Sequence, residues 1–246
     1  MKILKFLFFG IIILAVLGFI AVKGFSKEKP EGKGGEEADQ LAEKVLKALN
    51  KEAFDTISYL KFDFFGGKNK YFWDKKNEKA IIEWGDKKVI MDLKSLEPLC
   101  FVEGQKVEGA QANKLKESAW SKWCNDSFWM IAPFKVFDEG TTRKIVALEE
   151  GEGEVGLLIE YESGGVTPGD SYLWILDKKY RPTGYKMWTQ ILPVKGLYAS
   201  WEDWQEFDGA YLSLMHKFPG KEMRMENVKS GSHWSEFGYK SDPFNI

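Results

Sequence analysis

The strongest signal of fold class is the stretch Thr56–Asp92, TISYLKFDFFGGKNKYFWDKKNEKAIIEWGDKKVIMD. Its apolar and polar residues alternate with a period of two, which places Phe62 and Phe64 on one face of a strand. The pairs Gly66-Gly67 and Gly85-Asp86 separate the apolar runs and are typical of turns. The stretch therefore predicts a meander of antiparallel hairpins.

Helical periodicity appears on either side of this meander. Glu36–Phe54 predicts a first helix, and Glu108–Ile131 predicts a second, with Asn125-Asp126-Ser127 opening a further short turn. Strands and helices do not alternate regularly, so we expect ten to eleven strands to form an antiparallel sheet with two to three helices. A sheet of that size must curl, split or close. The later strands are predicted at Thr142–Leu148, Val155–Tyr161, Ser171–Leu176, Tyr185–Leu192, Leu197–Phe207, Tyr211–Phe218 and Met223–Val228.

An apolar run precedes the domain. Phe6–Val22, FLFFGIIILAVLGFIAV, contains 17 residues without a polar side chain. As a helix it would extend roughly 26 Å, close to the thickness of a bilayer core. The run is followed by a poor match to a signal-peptidase site, so we expect an uncleaved signal anchor over residues 1–25 and a single-pass protein in the cell membrane. The charges flanking the run are nearly balanced, so they do not decide its orientation. Because the charged and then apolar start resembles an export signal, we expect the large domain on the periplasmic side.

The remaining chain divides by composition. Residues 26–36 are rich in Gly, Lys and Glu, which predicts a flexible linker. Residues 37–230 form the predicted domain, and residues 231–246 an irregular C-terminal tail. The formal net charge of −2 gives no indication of the basic surface that proteins use to bind nucleic acid. Cys100 and Cys124 could form a disulfide in an exported protein or remain two buried thiols. We expect no metal and no cofactor, because no metal-binding spacing of Cys and His occurs.

Several motifs stand out along the domain, namely Trp73-Asp74 with Asn77 and Trp84, Asn125–Trp129, Pro133–Lys135, Asp138–Gly140, Thr167–Tyr172 and Trp201–Trp204. They resemble those of an uncharacterised family of exported bacterial proteins that is grouped with the lipoprotein-carrier (LolA-like) superfamily. The resemblance covers about residues 36–230. It implies an α+β, mainly β fold, in which a strongly curved antiparallel sheet, a half-barrel of about ten strands, packs on two to three helices behind the N-terminal transmembrane helix. In that superfamily the cavity between sheet and helices binds acyl chains.

The sequence therefore favours an envelope protein that is tethered to the membrane and binds an apolar ligand, a lipid or acyl chain, without catalysing a reaction. One alternative is a carbohydrate-binding or hydrolytic enzyme that uses exposed Trp and carboxylates, and a second is a structural or partner-binding envelope protein. Protein partners are not indicated. Trp201 and Trp204 should lie on opposite faces of one strand. The candidate ligand-binding residues are Phe62, Phe64, Trp73, Trp84, Phe128, Trp129 and Trp204.

Overall fold

The computed structural model describes residues 24–245. The described chain is mainly β with few helices, and its sheets are antiparallel, as the sequence predicts. The predicted anchor run Phe6–Val22 lies outside the described residues. Between residues 24 and 245, no helix has the length and apolar character needed to cross a bilayer.

Three α-helices and sixteen strands make up the described chain, with short 3-10 helices at Ala132–Lys135 and Trp234–Phe237. The α-helices are α1 (Glu36–Ala48), α2 (Lys51–Thr56) and α3 (Gly109–Ile131). The strands are β1 (Lys33–Gly34), β2 (Tyr59–Phe64), β3 (Asn69–Asp74), β4 (Lys79–Trp84), β5 (Lys87–Asp92), β6 (Pro98–Val102), β7 (Gln105–Val107), β8 (Thr141–Val146), β9 (Val155–Tyr161), β10 (Ser171–Leu176), β11 (Pro182–Trp188), β12 (Leu197–Ser200), β13 (Glu202–Phe207), β14 (Ala210–Phe218), β15 (Lys221–Arg224) and β16 (Glu226–Gly231).

The strands form three sheets, not one half-barrel of about ten strands. The seven-stranded sheet has the order β16-β2-β3-β4-β5-β6-β7, the six-stranded sheet β1-β8-β9-β10-β11-β12, and the small sheet β13-β14-β15. The sheets are not closed into a barrel. Helix α3 separates β7 from β8 in sequence, and a sheet of this many twisted strands splits more readily than it stays continuous.

The helices differ from the predicted ones at single residues. The predicted helix Glu36–Phe54 is two helices, because Asn50 adopts a left-handed conformation with φ of 54° and caps α2 by accepting a hydrogen bond from the Ala53 amide. In contrast, α3 continues through Asn125-Asp126-Ser127, where a second start was expected. Helix α1 packs against β8 and β9, and α3 packs against β5, β6 and β14.

A single cluster of buried apolar residues connects all three sheets and the helices. Phe62 and Phe64 point into it, which confirms that they share a face. The opposite face of the seven-stranded sheet carries Phe72, Ile81 and Ile90. The C-terminal tail covers this outer face, mainly with the rings of Trp234, Phe237, Tyr239 and Phe244.

Residues 26–34, which we call the strap, cross the outer face of the six-stranded sheet. Trp188 on β11 donates its indole N–H to the carbonyl of Lys27 at 2.9 Å, and Lys29 forms an ion pair with Glu160 on β9. Gly32 lies so close to β8 that a Cβ atom there would approach the Ile145 carbonyl oxygen to 2.8 Å. The composition of this segment predicts a flexible linker, but its charged side chains and glycine backbone contact the sheet.

The two cysteines are free thiols, so of the two alternatives left open by the sequence the Cys100–Cys124 disulfide is not present. The thiol of Cys100 lies 3.6 Å from the carbonyl oxygen of Ala112 near the start of α3. Cys124 follows Ala112 by twelve residues of the same helix, a rise of about 18 Å. That separation is far beyond the Cα–Cα distance of less than about 7 Å that a disulfide requires.

Candidate ligand-binding site

Eight rings from α3, the six-stranded sheet, β14 and the link between β12 and β13 form one continuous aromatic group, which we call the ring cluster. It lies where the C-terminal half of α3 faces the inner surface of the sheet. Strand alternation explains the positions on the sheet, since Tyr172 and Trp174 share a face of β10 and Trp174 pairs directly with Tyr185 across the ladder. The cluster consists of Phe128, Trp129, Tyr161, Tyr172, Trp174, Tyr185, Trp201 and His216.

The outer end of the ring cluster is formed by Phe128, Tyr161 and Tyr172, all half-buried. The centroid of the Phe128 ring lies 4.8 Å from that of Tyr172 and 5.7 Å from that of Tyr161. The Tyr172 ring leads inward to Tyr185 at 5.3 Å. The three outer rings therefore form an apolar surface that solvent reaches and that continues into the core.

The rings at the inner end of the ring cluster are fully buried except for that of Trp129, which is half-buried. The indole of Trp174 lies 4.8 Å from that of Trp201, and Trp201 lies 4.6 Å from the His216 ring. Trp129 closes this end from the helix side, 5.2 Å from His216 and 5.5 Å from Tyr185. These spacings are those of tilted and edge-to-face aromatic pairs, so the inner rings pack as core.

The ring cluster carries no charge near neutral pH. Burial raises the pKa of Tyr161 and of Tyr185 well above the usual range of a phenol, and burial also raises the pKa of Tyr172. Burial lowers the pKa of His216 to about 4, so its imidazole is neutral. The cluster therefore suits an apolar or uncharged partner better than an ionic one.

Four buried polar atoms of the ring cluster make no hydrogen bond of standard geometry within the described residues, although the Trp201 indole faces the Tyr185 hydroxyl and the His216 ring faces the Trp129 backbone. The four atoms are the Tyr161 hydroxyl, the indole N–H groups of Trp174 and Trp201, and Nε2 of His216. A buried polar group without a partner costs about 1–3 kcal/mol, so native structures contain few of them. Their concentration among rings gives an apolar site with polar groups able to hold a carbonyl, an ester or a hydroxyl.

The predicted site residues are divided between the ring cluster and three other places. Phe128 and Trp129 belong to the ring cluster. Phe62 and Phe64 are fully buried, and Trp73 packs edge-on against Trp123 at 5.2 Å, so these three residues form core on the other side of α3. The structure therefore does not bring all seven predicted rings to one place.

Trp204 is half-buried at the margin of the ring cluster. Its indole N–H donates to the Pro182 carbonyl at 3.2 Å, and its ring lies 5.9 Å from that of Trp201. The two indoles were expected on opposite faces of one strand. The alternation fails because Trp201 lies between β12 and β13, and Asp203 has a positive φ of 53°.

Trp84 lines a separate groove of about 980 Å³ at the rim of the seven-stranded sheet. The Phe101 ring and the turn residues that follow β2 and β4 form its other walls. Glu83 faces Lys88 at 3.8 Å, and Asp86 faces Lys87 at 2.5 Å. The hydrogen bond from Lys87 lowers the pKa of Asp86, which is the opposite of what a general acid requires.

Asp126 is buried beneath this rim and does not cap a helix. Its carboxylate accepts hydrogen bonds from the Tyr71 hydroxyl at 2.5 Å and from the Asn69 side-chain amide at 2.7 Å. Asn125 donates to its other oxygen at 2.8 Å. Asp126 thus links α3 to β3 through hydrogen bonds and is not part of the ring cluster.

Sequence reasoning missed the tyrosines and Trp174 of the ring cluster. The signal was present, because the predicted bounds of β9 and β10 agree with those observed and the alternation along β10 places Tyr172 and Trp174 on one face. Only packing across long sequence separations reveals that this face meets Phe128 and Trp129.

Comparisons with known proteins give structural neighbours only. The chain is similar to the crystal structure of a DUF1329 family protein from Desulfovibrio piger, with 10% identity, 82% of this chain and 98% of that chain covered, and a TM-score of 0.45. It is also similar to an outer membrane lipoprotein-sorting protein domain from Vibrio parahaemolyticus, with 10% identity, coverages of 83% and 97%, and a TM-score of 0.32. No family model and no curated protein matches the chain. These scores assign neither family nor function.

Proposed function

We propose that this protein is a membrane-tethered envelope protein that binds an apolar ligand, a lipid or acyl chain, at the outer end of the ring cluster. The observation that carries the proposal is the group of half-buried rings, Phe128, Tyr161 and Tyr172, which continues inward to buried polar atoms without partners. An amphiphile would cover the outer rings with its chain and use its polar end to satisfy the Tyr161 hydroxyl; the other three atoms lie at the inner end and become reachable only when α3 moves.

The neutral state of the cluster favours this class of ligand. The raised pKa values of Tyr161 and Tyr185 and the lowered pKa of His216 leave no formal charge among the rings. A charged substrate would be desolvated there without a counter-ion, which is costly. The proposal involves binding and no chemical step.

The interior around Trp174 and Trp201 is filled with side chains. A ligand therefore binds along the outer rings, and its entry toward the inner end requires the C-terminal part of α3 to move away from β10 and β11. Phe128 and Trp129 are the α3 residues that would have to move, because they contact Tyr172 and Tyr185 on those strands.

The groove around Trp84 supports a second candidate, binding of a carbohydrate. An aromatic ring with polar neighbours in an open groove suits a sugar face, and the carboxylates beside it are paired with lysines. The lowered pKa of Asp86 favours binding over hydrolysis. The two candidates use different residues, so substitutions can separate them.

Native mass spectrometry of the full-length protein, released from detergent micelles, tests the proposal. We expect wild type and Trp84→Ala to retain an adduct of lipid mass, and Phe128→Ala to lose most of it. Loss of the adduct in Trp84→Ala alone would place the ligand in the groove. A folded wild type without any lipid adduct would contradict the proposal and favour a structural or partner-binding role.

A further inference from the structure

The chain enters the described domain at the connection between β11 and β12, residues 189–196. The Lys27 amide donates to the Lys195 carbonyl at 2.9 Å, and the Lys195 amide donates to the Ser26 hydroxyl at 3.1 Å. The Trp188 indole holds the Lys27 carbonyl at 2.9 Å. A Cβ atom at Gly196 would approach the Lys27 Cβ to 2.9 Å, so the strap and this loop fit closely together.

The contacts between the strap and the loop 189–196 shorten the free segment between the apolar run and the domain. If residues 26–36 were free, the domain could take any orientation above a bilayer. Because the strap is bound from Ser26 onward, only a few residues separate the apolar run ending at Val22 from the first contact with the domain. Five residues from Val22 to Lys27 span at most about 18 Å when fully extended. Chain connectivity therefore keeps Lys195 and Gly196, which contact the strap at Lys27, close to the residues that follow the apolar run.

Exposed apolar side chains gather at the same end of the domain. Phe25 is 76% exposed and Ile191 is 66% exposed, and residues 191–194 read Ile-Leu-Pro-Val. The neighbouring loop between β9 and β10 exposes Val166. The two loops contact each other, because Gln190 donates its amide N–H to Asp170 at 2.8 Å and its side chain to the Pro168 carbonyl.

We propose that this end of the domain rests on the bilayer surface, with Phe25, Ile191 and the Val166 loop inserted at the interface. Large apolar side chains grouped on an exposed loop mark an interaction surface, and here the adjoining sequence is a bilayer-length apolar run. The inference rests on the membrane tether of the proposed function and not on ligand binding.

The proposed orientation also determines which way the outer end of the ring cluster faces. Tyr161 ends β9 and Tyr172 lies near the start of β10, so both flank the loop that carries Val166. The outer rings would then open close to the lipid headgroups. A lipid could pass between the bilayer and the rings across the loops 162–169 and 189–196 without crossing bulk water.

Fluorescence quenching in vesicles tests the orientation. The full-length chain carrying Ile191→Cys or, as a control, Phe65→Cys would be labelled with an environment-sensitive fluorophore and reconstituted in phosphatidylethanolamine and phosphatidylglycerol vesicles containing spin-labelled lipid. Phe65 is also exposed and lies in the turn between β2 and β3 of the other large sheet. Wild type measures background labelling of Cys100, which is buried, and of Cys124, whose thiol has its pKa raised to about 12 by burial.

We expect the lipid to quench most of the emission at position 191 and little of that at position 65. Equal quenching at the two positions, or none at 191 in protein that floats with the vesicles, would overturn the orientation. Protein that does not float with the vesicles would overturn the tether and the orientation together. Lipid adducts measured on the same preparations report on ligand binding separately.

Discussion

The Nδ1 atom of His216 lies 3.1 Å from the carbonyl oxygen of Ser200, and this contact joins β14 of the small sheet to β12 of the six-stranded sheet. A carbonyl oxygen only accepts hydrogen bonds, so in this contact the neutral ring carries its proton on Nδ1. The ring also faces the Trp129 backbone, and Nε2 is buried without a hydrogen bond of standard geometry. Because the Nδ1 hydrogen bond links β14 to β12, the protonation state of His216 affects the contact between the two sheets.

His216 should make the folded state sensitive to acid. Its pKa is lowered by burial from 6.5 to about 4, so the unfolded chain binds the proton first as pH falls. Stability contributed by the neutral ring is complete above pH 6.5 and is lost as pH falls toward 4, by about 3 kcal/mol in total. Chemical denaturation at a series of pH values between these limits measures the slope.

Substitution isolates the contribution of His216. His216→Gln should flatten the slope between pH 6.5 and 4, whatever it does to the stability at neutral pH. His233→Gln is the matched control, since His233 is exposed near the C-terminus and should leave the slope unchanged. An unchanged slope in His216→Gln would show that the histidine is not buried in its neutral form.

Gly32 should be essential for docking of the strap. A Cβ atom at this position would approach the Ile145 carbonyl oxygen and the Lys144 Cβ to 2.8 Å each, a distance that real Cβ atoms almost never show. Gly32→Ala should therefore detach the strap and free its backbone for cleavage by trypsin after Lys27 and Lys33, whose side chains are already exposed. Limited proteolysis followed by N-terminal sequencing detects the new cleavages. Gly24→Ala, which meets nothing within 4 Å, should digest like wild type, and equal resistance of both variants would contradict the docked strap.

Asp126 should stabilise the fold through α3 and β3. Asp126→Ala leaves the Tyr71 hydroxyl and the Asn69 amide without their acceptor, and we expect a loss of about 2–3 kcal/mol in the free energy of unfolding. Glu117→Ala on the exposed side of the same helix should cost less than about 0.5 kcal/mol. Urea denaturation compares the two. A similar small loss in both would mean that the buried hydrogen bonds contribute little.

The cysteines should be recovered as thiols from protein isolated from membranes. Alkylation under denaturing but non-reducing conditions should modify both Cys100 and Cys124. The folded protein should resist the reagent at both positions, because Cys100 is buried and burial raises the pKa of Cys124 to about 12. A cross-linked peptide containing both residues would contradict the distance that α3 imposes between them.

The elements that sequence predicts well are those with local signals. The bounds of β9 and β10 follow from short apolar runs ended by turn residues, and the β2–β5 meander follows from glycine and aspartate turns. The features that the sequence does not predict depend on contacts between residues far apart in the chain. β1 is two residues of a polar segment that pairs only because β8 offers a free edge, and the break at Trp201 depends on contacts between separate sheets.

The candidate site divides in the same way. Phe128 and Trp129 are conspicuous in sequence, and both belong to the ring cluster. Phe62, Phe64 and Trp73 are equally conspicuous, yet they pack on the far side of α3. Residue type and strand face predict that a ring is buried, but the side of the inserted helix on which it packs is set by the arrangement of three sheets.

Photocrosslinking with an acyl chain tests the central claim most directly. The full-length protein in vesicles would be irradiated with a fatty acid that carries a photoreactive group near its terminus, and the modified peptides would be identified by mass spectrometry. We predict modification within Gly109–Ile131 near Phe128 and on β9 or β10 near Tyr161 and Tyr172, with loss of these products in Phe128→Ala. Modification confined to residues 1–25 and 189–196, with none near the three outer rings, would show that the protein contacts the bilayer but does not bind an acyl chain there, and would contradict the proposed function.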